Sequence, residues 1–363
     1  MPLIVDGTTG VTFNDASLQG AAASPFGLKN RIINGDMVIS QRNGTSSVTP
    51  TNGQYTLDRY FSVLSQASKY TVQQNAGSVT PPAGFTNYLG VTSTSSYSVG
   101  TNDFFQIVQA IEGFNTADLA WGTANARTVT LSFWVRSSLT GTFAGAFNNA
   151  SNNRSYVFNY TISSANTWEQ KTITVAGDTT GTWGTTNGIG INLRFSLGGG
   201  STYQTTAGAW TAGDFFTSSS ATSVVGTNGA TFYITGVQLE RNTTATPFEW
   251  IPYGLELQLC QRYYQRMNSV SAFTVFGSGA CNGATTANIY VKYPTTMRSQ
   301  PTSSQSNLII NTTADRTITT TALYAGNDSC LLQYGISGAT AGHAAVLIAN
   351  NSTTAFLDFA AEL

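Results

Sequence analysis

Apolar and polar residues alternate along most of this 363-residue chain, in short runs broken by Gly, Asn, Ser and Thr. The alternation is cleanest in ARTVTLSFWVRSS. There Val129, Leu131, Phe133 and Val135 fall on one face, and Thr130, Ser132, Trp134 and Arg136 on the other. A period of two marks a strand with one buried face. The same reading predicts strands over 154–163 (RSYVFNYTIS), 168–177 (WEQKTITVAG), 188–197 (GIGINLRFSL) and 230–240 (ATFYITGVQLE). In the last, Phe232 and Ile234 differ in parity from Val237 and Leu239, so a bulge near Gly236 is expected to restore the register. Upstream, Ile32, Ile33, Met37, Val38 and Ile39 predict short strands around an Asn34-Gly35 turn. YTLDRYFSV (55–63) and DFFQIVQAIEG (103–113) add further strands. Repeated strands without helical interludes predict an all-β protein built as a β-sandwich.

One stretch breaks the pattern. In GLELQLCQRYYQRM (254–267), Leu259, Cys260, Tyr263, Tyr264 and Met267 recur at i, i+1, i+4, i+5 and i+8, and Gln258, Gln261, Arg262, Gln265 and Arg266 lie opposite. This spacing predicts an amphipathic helix, entered after Pro252. Short strands return over 268–363 and predict a second, smaller β domain. Residues 1–30 mix turn residues with single apolar ones and read as an extended attachment or oligomerisation segment. The expected organisation is therefore 1–30, a sandwich over 31–253, the helix over 254–267 and the C-terminal β domain over 268–363.

Composition narrows the chemistry. Only 9% of residues are charged, against about 25% in an average soluble protein, and the formal net charge is −1. An electrostatic nucleic-acid binder is not expected. Ser and Thr together supply about a quarter of the chain, while 42 aromatic residues (20 Phe, 16 Tyr, 6 Trp) can support ordered cores. No apolar run approaches the roughly 18 residues of a membrane-spanning helix, and the first residues carry no secretory signal pattern, so no membrane insertion is expected. Cys260, Cys281 and Cys330 are widely spaced and odd in number; they read as buried apolar residues, or as one disulfide plus a thiol. His343 is the single histidine, flanked by apolar residues, and reads as structural. No nucleophile-elbow, phosphate-loop or metal-protease motif is present, nor an Asp-x-Asp-type calcium loop, so neither a cofactor nor a metal is expected. Asp58 and Arg59 are adjacent charges in a chain with few; paired burial and a surface position both fit them.

Several segments resemble bacteriophage tail-fibre and related virion proteins. NRIINGDMVISQRNG followed by YTLDRYF is similar to a recurrent opening of such chains. TGVQLERNTTATPFEWIPYGLELQLCQRYYQRM resembles the stretch that closes their carbohydrate-binding-module-like jelly roll. YPTTMRSQPT, the terminal Ala-Glu-Leu and the lead-in GVTFNDASLQ fit the same pattern. The resemblance implies a non-enzymatic virion fibre subunit, exposed on the particle, that recognises a bacterial surface glycan or other receptor. It implies a homotrimer attached to other virion proteins, of the tail or the capsid, through residues 1–30. A capsid-mounted head fibre or decoration protein would share every motif. A glycan-degrading tailspike would need a pair of carboxylates, which spacing alone does not reveal here. In a trimer, the stripe Leu259, Tyr263, Tyr264 and Met267 would meet the same helix of other copies; alternatively it packs on the sandwich.

Glycan recognition needs an aromatic face for sugar C–H groups with amide or charged donors nearby. Trp168, Trp183, Trp210, Tyr156 and Tyr203 stand in or beside turn-rich polar stretches, and Trp134 shares its face with Arg136. These are the candidate glycan contacts, with core or interface packing as the alternative for each. Trp121 and Trp250 read as structural. In the C-terminal domain Tyr290, Tyr293, Tyr324 and Tyr334 are further receptor candidates.

Overall fold

The computed structural model describes residues 28–363, together with short strands at 4–6, 10–12 and 18–19. The segment expected over 1–30 lies almost wholly outside the described residues. From residue 28 onward the chain is nearly all β, with one α-helix and a few single 3-10 turns.

Two sheets form the sandwich. One has seven strands in the order Trp210–Ala212, Arg154–Ile162, Gly141–Asn148, Ile189–Gly199, Phe104–Glu112, Tyr60–Leu64 and Tyr55–Leu57. The other has five: Glu169–Val175, Val129–Ser137, Thr231–Glu240, Leu89–Ser93 and Tyr70–Gln74. The chain crosses repeatedly between them, as in a jelly roll. The faces predicted from the period of two become the core. Phe133 packs edge-on against Tyr160 and Phe195 of the facing sheet, with centroids 5.1 and 5.2 Å away. Phe232 meets Phe143 across the same gap at 6.1 Å. The expected bulge is present: the pairing of Thr231–Glu240 with Val129–Ser137 slips between Thr235 and Gln238, and Gly236 takes a φ of 60°. The strand Phe104–Glu112 is buried almost throughout because its sheet is covered on both faces. On the outside, residues 201–217 fold over Ala146 and Val157 and seat Phe216 there.

The strands expected around Asn34-Gly35 are instead an irregular turn. It is held by the Asn34 side chain and by single backbone bonds to Leu239 and Val237 rather than by a ladder. Asn34 Nδ2 donates to the carbonyls of Ile39 (2.8 Å) and Asp58 (3.0 Å), and Asn34 Oδ1 accepts from Ile39 N. Asn34 has φ 60°, a conformation that Asn tolerates better than most residues. Ile32 and Met37 still reach the sandwich core, so the apolar pattern reported burial there but not strand.

Helix α1 spans Tyr253–Gln261. The expected helix over 254–267 therefore ends six residues early. Tyr264–Asn268 is a strand, paired antiparallel with Phe356–Ala360 in a three-stranded sheet completed by Thr302–Ser306. This non-local pairing overrides the helical spacing, and the C-terminal unit begins at 264 rather than 268. Its second sheet has seven strands, ordered Asp315–Thr317, Leu308–Asn311, Ala344–Ala349, Val275–Cys281, Thr286–Lys292, Ser329–Gly335 and Thr320–Ala325. Leu357 and Phe359 of the small sheet share one core with Ile289, Leu332 and Leu347 of the large one. All three cysteines are free and buried.

The scarce charges gather where the two units join. Glu112 accepts two hydrogen bonds from Arg262 (2.8 and 2.6 Å) and one from the Tyr263 hydroxyl (2.5 Å). Glu362 pairs with Arg59 and with Arg42. The Arg59 guanidinium lies 3.6 Å from the centroid of the Tyr263 ring, and that of Arg42 3.4 Å from the Tyr264 centroid. Arg298 donates to the carbonyls of Asn187, Ala361 and Glu362. Asp58 and Arg59 are both buried, which resolves the two readings of that pair. Four of the segments that carry the fibre resemblance (the Asn34 turn, LDRY, CQRYY and the terminal Ala-Glu-Leu) meet at this joint.

Candidate functional site

The outer face of the five-stranded sheet collects three of the candidate contacts. Trp134 and Arg136 point away from the core, as their parity requires. Trp134 stands opposite Gln170 on one neighbouring strand and opposite Thr235 on the other. Glu169 pairs with Val135, so Trp168 lies one step further along, beside Arg136. Trp134, Arg136 and Trp168 are partly exposed; Gln170, Thr172 and Thr174 are exposed. The face thus offers two indoles, a guanidinium, an amide and two hydroxyls in neighbouring positions.

Aromatic packing fixes this row. Tyr233 sits under Arg136, with 5.6 Å between the guanidinium carbon and the ring centroid, and packs on Tyr88 at 5.1 Å. Trp168 meets Tyr88 edge-on at 5.5 Å and donates its indole N–H to the Thr80 carbonyl (2.9 Å). Arg136 Nε donates to the Asn166 carbonyl (3.0 Å), leaving its terminal nitrogens without a hydrogen-bond partner among the described residues. Phe85 and Trp134 flank Gly236 closely: a Cβ there would stand 2.6 Å from Phe85 Cζ and 3.1 Å from Trp134 Cδ1. The bulge that corrects the register therefore also makes room for both rings. Gln170 and Phe85 were not singled out from sequence. The alternation Gln170-Thr172-Thr174 against Ile173-Val175 carried the signal for the first; nothing local marked the second.

Two other candidates belong to the core. Trp183 and Trp210 meet each other at 5.3 Å and Trp121 at 4.8 and 5.2 Å, in a three-indole plug. Each indole N–H is taken by a backbone carbonyl: Trp121 by Arg127, Trp183 by Thr180 and Trp210 by Ala176. Tyr156 packs on Trp210 at 5.2 Å. Trp183 is buried, while Trp210 and Tyr156 remain partly exposed beside it. Tyr203 is held between Phe104 (5.4 Å) and Phe216 (5.5 Å). It stands beside a groove of about 490 Å³ over the seven-stranded sheet, lined by Asn159, Gln204 and the hydroxyls of Ser201, Thr205, Thr206 and Ser218–Ser220.

The helical stripe is likewise used inside the chain. Tyr263 packs with Ile33, Ile39 and Cys260, and Leu259 lies against that cluster. Tyr264 is buried and donates to Asp358 (2.8 Å), and Met267 packs on the C-terminal core. Tyr263 and Tyr264 are thus buried within the chain, whereas Leu259 and Met267 remain partly exposed. The exposed apolar side chains of α1 are Tyr253 and Leu255.

Most acidic residues of the sandwich are engaged one by one; the exception is Asp36, which keeps one buried carboxylate oxygen without a hydrogen-bond partner among the described residues and stands within electrostatic reach of Glu256. Asp178 is bound bidentately by Arg154, Asp214 by Arg194, Glu169 by Lys171 and Asp118 by Arg31. Asp103 accepts from Tyr97 and Ser65, Glu240 from Thr246, and Glu249 from the backbone N–H of Asn30. Burial acts to raise the Asp178 and Glu112 carboxyls, but their arginine hydrogen bonds prevail and hold both below the usual carboxylate range. Among the described residues no cluster of three or more His, Cys, Asp or Glu is placed to hold a metal ion, and no helix is long and apolar enough to cross a membrane.

No family model matches this chain, and no curated protein matches it. Among solved structures it is similar to the enzymatically active domain of tailspike protein 4 of bacteriophage CBA120, at 12% identity and a TM-score of 0.32, over 58% of this chain and 21% of that one. The likeness thus spans about a fifth of the tailspike domain. It is also similar to a family 11 carbohydrate-binding module of Clostridium thermocellum in complex with a β-1,3-1,4-mixed-linked tetrasaccharide (12% identity, TM-score 0.28, 56% of this chain and 100% of that one). A carbohydrate-binding module described as CBM4 gives 16% identity and a TM-score of 0.28, over 58% and 98%.

Proposed function

We propose that this chain is a virion fibre subunit of a bacteriophage that binds a glycan on the host surface without cleaving it. The row Trp168, Arg136, Trp134 and Gln170 carries the reading. An indole face takes the C–H face of a pyranose, and the neighbouring amide and guanidinium exchange hydrogen bonds with its hydroxyls. Low charge on the surrounding face suits a neutral, hydroxyl-rich ligand. The use of the acids supports binding over hydrolysis. A glycosidase holds two carboxylates about 5–10 Å apart across a cleft, whereas most of the sandwich acids are tied to arginines, lysine, hydroxyls and backbone N–H groups, and Asp36 and Glu256 are enclosed rather than set across a cleft. In this reading residues 1–30 attach the subunit to other virion proteins, of the tail first and of the capsid as the alternative. A homotrimer presents three such faces and gains avidity from them.

The test is a glycan-array screen of the full chain beside Trp134→Ala, Trp168→Ala and Arg136→Ala. Binding is expected to fall at least about fivefold in the two tryptophan variants, consistent with about 1–3 kcal/mol for one stacked ring. Undiminished binding in all three overturns the assignment. The hydroxyl-lined groove is the second reading, favoured by its volume and lining; loss of binding in Asn159→Ala with Trp134→Ala unaffected would select it.

A further inference from the structure

We propose that the outer face of the large C-terminal sheet is a second and separate glycan site, for an acidic polysaccharide strand lying across the β-strands. In Thr286–Lys292 and Ser329–Gly335, alternate residues face the core: Ala287, Ile289 and Val291 on one, Cys330, Leu332 and Tyr334 on the other. The remaining side chains therefore stand on the outer face. The register places Tyr290 opposite Leu331, and Leu331 opposite Tyr324 on the edge strand. Tyr290 is 53% exposed and Tyr324 58%. Neither ring packs on another aromatic ring, and neither hydroxyl has a hydrogen-bond partner among the described residues. Two strand spacings separate their backbones, about 9.5 Å. That is the span over which an extended polysaccharide turns the same sugar face outward again.

Polar groups flank the pair in the order a glycan needs. One step along the strands, Asn288 is opposite Gln333, and Gln333 Nε2 donates to Asn288 Oδ1 (3.2 Å). This bond leaves Asn288 Nδ2 to donate and Gln333 Oε1 to accept. One step the other way, Lys292 is opposite Ser329, exposed, and without an ion pair among the described residues. The neighbouring Asp328 carboxylate accepts from the Thr296 hydroxyl and forms no ion pair with Lys292 among the described residues. An exposed ammonium without an ion pair beside two exposed rings is complementary to a carboxylate on the sugar, which favours an acidic polymer over a neutral one.

The experiment is affinity electrophoresis of the full chain through gels holding a panel of uronate-containing polysaccharides and their carboxyl-reduced counterparts. Retardation by at least one uronate polymer is expected, several-fold weaker after carboxyl reduction. It should fall at least tenfold in Tyr290→Ala and in Tyr324→Ala, survive in Tyr290→Phe and Tyr324→Phe, and lose its salt dependence in Lys292→Gln. Trp134→Ala should leave it unchanged, which separates this site from the sandwich face. The proposal is overturned if no polymer retards the chain, if the double alanine variant is retarded as before, or if only Trp134→Ala abolishes retardation. It is also overturned if the double variant changes the particle mass by light scattering, since the face is then a contact between copies.

Discussion

Asp58 and Glu256 are carboxyls enclosed at the joint between the two β units. Burial pushes Asp58 up to about 6, against the pull of Arg42 and Gln41, and pushes Glu256 up to about 7, although it accepts a hydrogen bond from Asn34 N. A carboxyl whose folded value is raised binds its proton more tightly in the folded state. Its contribution to stability is complete below the unfolded value, near 4.5 for glutamate, and is lost as the pH rises through about 7. Stability should therefore decline between pH 5 and pH 8. Glu256→Gln keeps an acceptor for Asn34 and removes the titration. Denaturant unfolding of this variant should show a gain of up to about 3 kcal/mol over the parent at pH 8 and none at pH 4.5. A parallel loss at both pH values would show that Glu256 does not titrate in this range.

At the scale of elements, the bulge at Gly236 links fold and site. A side chain at φ 60° is strained, and its Cβ would collide with Phe85 and press on Trp134. Gly236→Val is expected to cost about 2 kcal/mol or more in thermal unfolding and to weaken glycan binding with it. Unaltered stability would mean that the bulge has another way to close. The alternation in this strand was legible, and so was the need for an extra residue, because parity is a local property. The stop of α1 at Gln261 was not legible. Tyr264, Arg266 and Asn268 also alternate as a strand, and the choice fell to the partner strand Phe356–Ala360, nearly a hundred residues away.

For the whole molecule, the joint decides whether two β units behave as one. Glu112 is buried against Arg262, Tyr263 and the strand end, so removing it leaves Arg262 and the Tyr263 hydroxyl without their acceptor. Glu112→Ala is expected to cost about 3–5 kcal/mol and to split a single calorimetric transition into two. One transition at unchanged temperature would show that the units are held by other contacts. The proposed trimer has its own measurement: light scattering should give a mass near three times 38.4 kDa, and a monomer would remove the avidity argument.

The sequence by itself determined the strands over Val129–Ser137, Arg154–Ile162, Glu169–Val175, Ile189–Gly199 and Thr231–Glu240, the face that Val129–Ser137 buries, the bulge near Gly236 and the presence of one helix. All follow from spacing within a dozen residues, and a side chain's face is set by its own backbone. Trp134 and Arg136 were legible as outward-facing for the same reason. Only the tertiary structure decided which polar-looking segments become covered. Trp183 and Trp210 lie in turn-rich surroundings and yet close a plug with Trp121, because those turns fold back over the sandwich. Asp58 and Arg59 gave no local sign of burial. Arg59 finds Glu362 some 303 residues further along the chain, a pairing that exists only once the C-terminal unit has docked and withdrawn both charges from water.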